Sequence, residues 1–225
     1  MQRPAAVHAR HPDLGIHWPQ GTFDGVRVVA GEARGRRLVA PEGRDTRPTL
    51  DRVREALFNA LGSLDVVDDA RVLDLFAGSG ALGIEALSRG AAHCTFVDAD
   101  RSARTAVTTN LDATGLVHRA TVVGSTAAAW LAAAGPDDRC DLVLLDPPYA
   151  TTDEEWATLL DAVASVARRG DGSAGVVVVE SDHAVPVPDG WHPRREKAYG
   201  GTIVAVLQPP DDDRSGPSAG AAEPS

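Results

Sequence analysis

Residues 71–83, Arg71-Val72-Leu73-Asp74-Leu75-Phe76-Ala77-Gly78-Ser79-Gly80-Ala81-Leu82-Gly83, read as a strand, a tight turn and the start of a helix. The apolar run Val72, Leu73, Leu75 surrounds a carboxylate, the chain passes through Gly78 and Gly80, and an apolar helical pattern (Leu82, Ile84, Leu87) follows. Glycines let a backbone approach a ligand closely, and a helix N-terminus presents unpaired N–H groups to it. In an open α/β sheet, such a turn at the carboxyl end of a strand is where a nucleotide-like ligand sits.

Gly78 to Gly83 also fits G-x-G-x-x-G, and Asp98 follows at the spacing of a dinucleotide fingerprint. That pattern alone does not separate nicotinamide enzymes from methyltransferases. Asp74 does. A carboxylate at this strand end repels a pyrophosphate but suits a cation such as the α-ammonium of S-adenosylmethionine (SAM). Downstream, Asp141-Leu142-Val143-Leu144-Leu145 is a second buried strand, and it runs into Asp146-Pro147-Pro148-Tyr149.

From Arg71 onward strands and helices alternate. Strands are expected at 71–75, 93–98, 120–123, 141–146 and 175–180, with helices at 79–89, 101–113, 126–134 and 154–168. Near-continuous apolar strands such as Val176-Val177-Val178-Val179 indicate a parallel sheet covered on both faces. Residues 191–198 and 202–207 flank Tyr199-Gly200-Gly201 and read as a hairpin, hence an antiparallel edge. The expectation is a Rossmann-like, SAM-dependent methyltransferase fold: an α/β, mostly parallel seven-stranded sheet with an antiparallel C-terminal hairpin. A small N-terminal hairpin (25–30 and 36–40) and a helix from Thr49 (Leu50, Val53, Leu57, Leu61) precede it. The division expected is a disordered leader at 1–24, a basic extension at 25–64, the catalytic domain at 65–208 and a disordered tail at 209–225. His8, His11 and His17 in the leader are not read as metal ligands, and Met1, the only methionine, leaves room for a natural start near Val26 or Val28.

The 225 residues carry a formal charge of −10, which argues against a uniformly basic nucleic-acid binder. The charge is uneven. Residues 1–54 sum to +4 and the remainder to −14, with arginines gathered between Arg34 and Arg54. No apolar run is long enough to span a bilayer, and no apolar segment follows Arg3 and Arg10, so a signal peptide is not expected and a cytoplasmic setting is. Cys94 and Cys140 fall on strands that are not neighbours in this arrangement, so no disulfide is expected. Nor do the ligand-type residues cluster as a metal site would require.

Asp98, ending the second strand, is placed to accept hydrogen bonds from ribose hydroxyls, whereas Asp100 better starts the next helix. Phe76, Ala77, Gly78, Ser79 and Gly80 would wrap the cofactor. Ser125-Thr126 follows the third strand, where the adenine would lie, although Thr126 is better suited to capping a helix. In Asp146-Pro147-Pro148-Tyr149 the prolines fix φ and leave carbonyls free. A planar exocyclic amine can then donate to the Asp146 side chain and the Pro147 carbonyl, which localises its lone pair for attack. Tyr149 can stack on the base, a contact worth about 1–3 kcal/mol. Arg34, Arg36, Arg37, Arg47, Arg52 and Arg54 are the candidates for phosphate contact. Of these, Arg54 falls in the apolar arc of its helix, about 60° from Leu57, and requires a partner or a ligand there.

Thr46-Arg47-Pro48-Thr49-Leu50-Asp51-Arg52-Val53-Arg54-Glu55, the run from Asp74 to Ala91, Asp146-Pro147-Pro148-Tyr149, and Lys197 to Thr202 together resemble the RsmD-type 16S rRNA guanine-N2 methyltransferases. The likeness spans about Val26 to Leu207. It implies methylation of a guanine amine in 16S rRNA of the small ribosomal subunit or of an assembly intermediate, with SAM as donor and no metal. It also implies that the arginines grip phosphates beside a flipped base. The chain departs from the family in having Asp98 where Glu is common and in lacking an acidic residue on the adenine side. A monomer is expected, with no membrane partner. Competing readings are an adenine-N6 methyltransferase acting on DNA or RNA, since the same tetrapeptide serves any planar amine, and a non-catalytic ribosome-binding factor. A nicotinamide-dependent oxidoreductase would need a hydride-transfer acid or base that the sequence does not offer.

Overall fold

The computed structural model describes residues 26–42, 49–148 and 151–211. Arg44, Arg47 and Tyr149 lie outside them, as do the leader and most of the tail. Seven strands form one sheet in the order β3-β2-β1-β4-β5-β7-β6. They are β1 (Arg71–Leu75), β2 (His93–Val97), β3 (Ala120–Val123), β4 (Leu142–Leu145), β5 (Val176–Ser181), β6 (His192–Tyr199) and β7 (Thr202–Gln208). The first five are parallel, and β7 runs antiparallel to both β5 and β6. The mixed sheet expected from the sequence is the one observed.

Alternation along the strands divides the core. Val72, Leu142, Leu144, Val178, Val204 and Val206 point to one face, covered by α1 (Thr49–Ser63), α2 (Ala81–Ser88), α3 (Arg101–Thr114) and residues 26–38. Leu73, Leu75, Val143, Leu145, Val177 and Val179 point to the other, where α4 (Ala127–Ala133) and α5 (Asp153–Ala164) pack. Four-residue β4 is wholly buried, as a central strand covered on both faces must be. Asp100 caps α3, accepting from the Ser102 N–H at 2.8 Å, and Thr126 caps α4, accepting from the Ala129 N–H at 3.1 Å.

Two elements differ from expectation. The N-terminal hairpin is present but shorter than expected. Arg27 and Arg37 form its bridge, and the N–H groups of Val28 (3.0 Å), Gly35 (2.8 Å) and Leu38 (2.8 Å) bond the carbonyls of Arg36, Val28 and Val26 across it. Beyond this pairing the backbone turns to side chains of α2 and α3. Glu85 of α2 accepts from the N–H groups of Val29 (2.7 Å) and Ala30 (3.1 Å). The Ser88 hydroxyl accepts from Ala33 N–H (3.0 Å) and donates to the Ala30 carbonyl (2.6 Å). From α3, Asn110 binds both the N–H (2.7 Å) and the carbonyl (2.9 Å) of Val39, and its amide also donates to the Ser79 carbonyl at 2.8 Å. The basic segment is thereby fastened to the glycine turn. The second difference is α5, which stops at Ala164 rather than at 168, since Ala167 and Arg168 are drawn into bridges with Cys140 and Ala174. Cys94 and Cys140 are both buried free thiols. No described helix is long and apolar enough to cross a membrane.

Candidate active site

The site follows from strand register. Asp74 lies on β1 opposite Leu144 of β4, on the face covered by α1 and α2. Leu145 pairs with Val179, so the next residues, Asp146 and Glu180, are neighbours on adjacent strands and return to that same face. All three carboxylates line one cavity with Arg54, Phe76, Ala77, Gly78, Ser79, Val53 and Pro41. The two strand ends read from the sequence, at 74 and 146, therefore open onto a common space.

The turn is built around strained backbone. Phe76 has φ +65°, a left-handed conformation that a bulky residue rarely adopts, and Gly78 and Gly80 follow at +57° and +76°. Gly80 begins α2 with no side-chain cap of its own. Asp74 supplies one from below, accepting from the Gly83 N–H at 3.0 Å. Gly83 itself admits no side chain, since a Cβ would stand 2.4 Å from the Phe96 ring. Asp98 closes the turn, accepting from the N–H groups of Gly78 (2.9 Å) and Asp100 (2.8 Å).

Burial holds the Asp74 carboxyl well above the ordinary carboxylate range, and the charges of Asp146 and Asp98 add to the effect against the Gly83 hydrogen bond. Desolvation also lifts Glu180, to about 8, with Asp146 raising it further and Arg54 opposing. A cation placed beside a carboxyl that burial keeps from ionising offsets the desolvation, so the Asp74 side of the cavity favours a cationic ligand. On the exit side, the Pro148 carbonyl is taken by the Thr151 N–H (3.0 Å) and hydroxyl (2.7 Å), and a Thr152–Glu155 capping box then starts α5. This ties down the end of the Asp-Pro-Pro loop.

A family model described as Conserved hypothetical protein 95 matches residues 26–208. Ribosomal RNA small subunit methyltransferase D of Escherichia coli (strain K12) is 42% identical over 185 residues, covering 81% of this chain and 89% of the relative. The chain belongs to the RsmD family. Among solved structures similar to this RsmD-family chain, that of yhhF from Escherichia coli is 38% identical with a TM-score of 0.67, covering 83% of this chain and 99% of the other. A hypothetical protein of Thermus thermophilus is 30% identical with a TM-score of 0.67, covering 80% and 98%.

The remaining sequence-derived residues fall into three groups in this RsmD-family chain. Ser125, half-buried, and Thr126, exposed, follow β3, but both hydroxyls are engaged locally: Ser125 donates to the Thr126 carbonyl at 3.1 Å, and Thr126 caps α4. Arg34, Arg36, Arg37 and Arg52 are exposed. Arg54 departs from them. Only 4% exposed, it bonds the Arg27 carbonyl and the Asp51 carboxylate (2.8 Å) and faces Glu85 at 3.6 Å. It stands on the cavity wall, not on the outer face. Three polar residues carry weight that the sequence reading did not give them: Glu85 and Asn110, which fasten residues 29–39, and Glu180, which lines the cavity. Glu180 had a usable signal, since it ends an apolar strand as Asp74 and Asp98 do. Finally, β6 exposes Arg194, Arg195 and Lys197, with the Lys197 ammonium 5.0 Å from the Tyr199 ring centre.

Proposed function

We propose that the protein methylates the exocyclic N2 amine of a guanine in 16S rRNA, using SAM as donor, on the small ribosomal subunit or an assembly intermediate of it. The observation that carries this reading is the common cavity of Asp74 and Asp146 in a chain of the RsmD family. Asp74, the turn from Phe76 to Gly80, and Asp98 would hold SAM: a buried carboxylate for its α-ammonium, close backbone for its middle, and a strand-end carboxylate for its ribose. The cavity fits a cation, since burial raises the Asp74 carboxyl well above its ordinary range and a positive charge beside it would offset that. SAM supplies a methyl group on a sulfonium, a leaving group that needs no metal.

The chain's own work is positioning. Asp146 and the Pro147 carbonyl accept the two hydrogens of the target amine. Those bonds turn its lone pair out of conjugation with the ring and along the line of attack. As the N–C bond forms the amine becomes acidic, and Asp146 is in place to take its proton. The flipped base enters beside Arg54 and Glu180, with Tyr149 as its stacking partner. Arg34, Arg36, Arg37 and Arg52, together with Arg47, hold the flanking phosphates. The relative from Escherichia coli bears a name that specifies small-subunit rRNA, which supports that substrate.

The test is to incubate the protein with SAM and small subunits from a strain lacking the activity, then map modified nucleotides by mass spectrometry. N2-methylguanine at a single position is expected. A methyl on adenine N6, or no product from a folded protein that binds SAM, refutes the proposal.

A further inference from the structure

Glu180 is a buried carboxylate with no assigned work. It is 7% exposed, lines the cavity with Asp74 and Asp146, and receives no hydrogen bond from any described residue. Arg54 lies on the same wall, yet its guanidinium contacts are with Arg27, Asp51 and Glu85. The Glu180 oxygens are not sealed off like the orphaned nitrogens of Arg54 and Trp156; they line the cavity, where a ligand donor can reach them. The register places Glu180 one strand from Asp146 on the same sheet face, so their Cα atoms stand roughly 4.8 Å apart. Two adjacent acceptors at that spacing match two adjacent donors on a flat ligand.

We propose that Glu180 reads the identity of the target base, its carboxylate accepting the N1–H of guanine while Asp146 and the Pro147 carbonyl hold the N2 amine. This rests on the guanine-N2 reading above and adds to it the residue that selects the base. Guanine presents N1–H and N2–H side by side on its Watson–Crick edge. Adenine presents a lone pair at N1, so an ionised carboxylate opposite it meets acceptor against acceptor. The nearby Arg54 charge favours the ionised carboxylate once a donor arrives. A site built around a substrate N–H rejects an analogue lacking it far more strongly than a hydrophobic pocket rejects a missing methylene, because its own buried group is then left unpaired.

2-Aminopurine separates the two atoms, since it keeps the N2 amine but has no N1–H. Small subunits reconstituted with 2-aminopurine at the mapped target position are compared with the guanine form at about pH 8.5, where the free carboxyl is mostly ionised. The wild-type protein is expected to prefer guanine by more than about 100-fold in kcat/KM. Glu180→Gln, whose amide can donate to a bare N1, is expected to bring the ratio below about 10 while SAM affinity stays within about twofold. Wild-type protein that methylates 2-aminopurine as well as guanine overturns the inference without recourse to any variant. An unchanged ratio in Glu180→Gln overturns it equally. If the wild-type product is not N2-methylguanine at all, it is the underlying function that fails, and the inference with it.

Discussion

Replacing Glu85 by alanine tests whether the basic segment is part of the folded core. The carboxylate is fully buried and does four things: it accepts from Val29 N–H and Ala30 N–H, bonds Arg89 Nε at 2.6 Å, and faces Arg54 Nε at 3.6 Å. Truncation leaves two buried backbone donors, each costing about 1–3 kcal/mol. It also leaves the 4%-exposed Arg54 without its buried counter-ion, and breaking such a pair costs about 3–5 kcal/mol. These terms overlap, since relaxation around one hole serves both, so about 4 kcal/mol is the reasoned value. For a domain of this size each kcal/mol lowers Tm by about 2–4 °C, which gives a fall of roughly 8–16 °C. Glu85→Gln keeps the shape and one acceptor, and should cost about half as much. Thermal unfolding measures the fall, and amide exchange at Val29 and Ala30 locates it. A Tm within about 2 °C of wild type for Glu85→Ala would mean that the segment is held by its apolar residues alone, and would refute the reasoning.

Asp74→Asn keeps an oxygen for the Gly83 N–H but removes the charge offered to SAM. It should weaken SAM binding about 10- to 100-fold by calorimetry, the worth of one charge-assisted hydrogen bond; unchanged affinity removes Asp74 from the cofactor site. Because Glu180 is raised by burial to about 8, the folded state holds a proton there that the unfolded state gives up in the ordinary carboxylate range. That contribution to stability is complete at acid pH and disappears as pH rises through 8. The free protein should therefore lose Tm across that window, and Glu180→Gln should flatten the slope; identical slopes would show that other groups set it. Replacing Arg34, Arg36, Arg37 or Arg52 singly with glutamine should lower the salt slope of rRNA binding by about 1 while SAM affinity holds. A variant that loses both ligands equally would place that arginine in folding.

Wherever burial alone decides an element, the sequence was enough to find it. β1, β4 and β5 are apolar because both faces are covered, and the caps at Asp100 and Thr126 are local chemistry confined to three residues. The carboxylates 74 and 146 were found because polar residues ending apolar strands are conspicuous. What was missed is long-range. Glu85 and Val29 are 56 residues apart, and Asn110 and Val39 are 71 apart, so nothing near either one announces the bond. The expected hairpin at residues 25–40 is shorter for that reason: its arms pair from Val26 to Val28 and from Gly35 to Leu38, and beyond that pairing side chains of α2 and α3 take the backbone groups of Val29, Ala30 and Val39. Arg54 was recognised as needing a partner, but the partner's identity depended on how α1 crosses α2.

The arrangement of charge bears on how an acidic chain could take the polyanionic substrate proposed for it. Carboxylates gather at the strand ends inside the cavity, where burial holds Asp74 and Glu180 above their ordinary range. Of the exposed arginines, Arg34, Arg36 and Arg37 stand on the segment fastened by Glu85, Ser88 and Asn110, and Arg52 stands on α1. On the proposed function, the carboxylates would repel a phosphate from the interior while a neutral base bearing donors could pass inward. Arg54 sits at the boundary, neutralised from behind by Asp51 and Glu85. Without that neutralisation, a guanidinium on the cavity wall would draw a phosphate to the place proposed for the base. On the proposed function, the buried ion cluster would serve selectivity as well as folding: it would let Arg54 shape the wall and temper Glu180 without turning the cavity into an anion site.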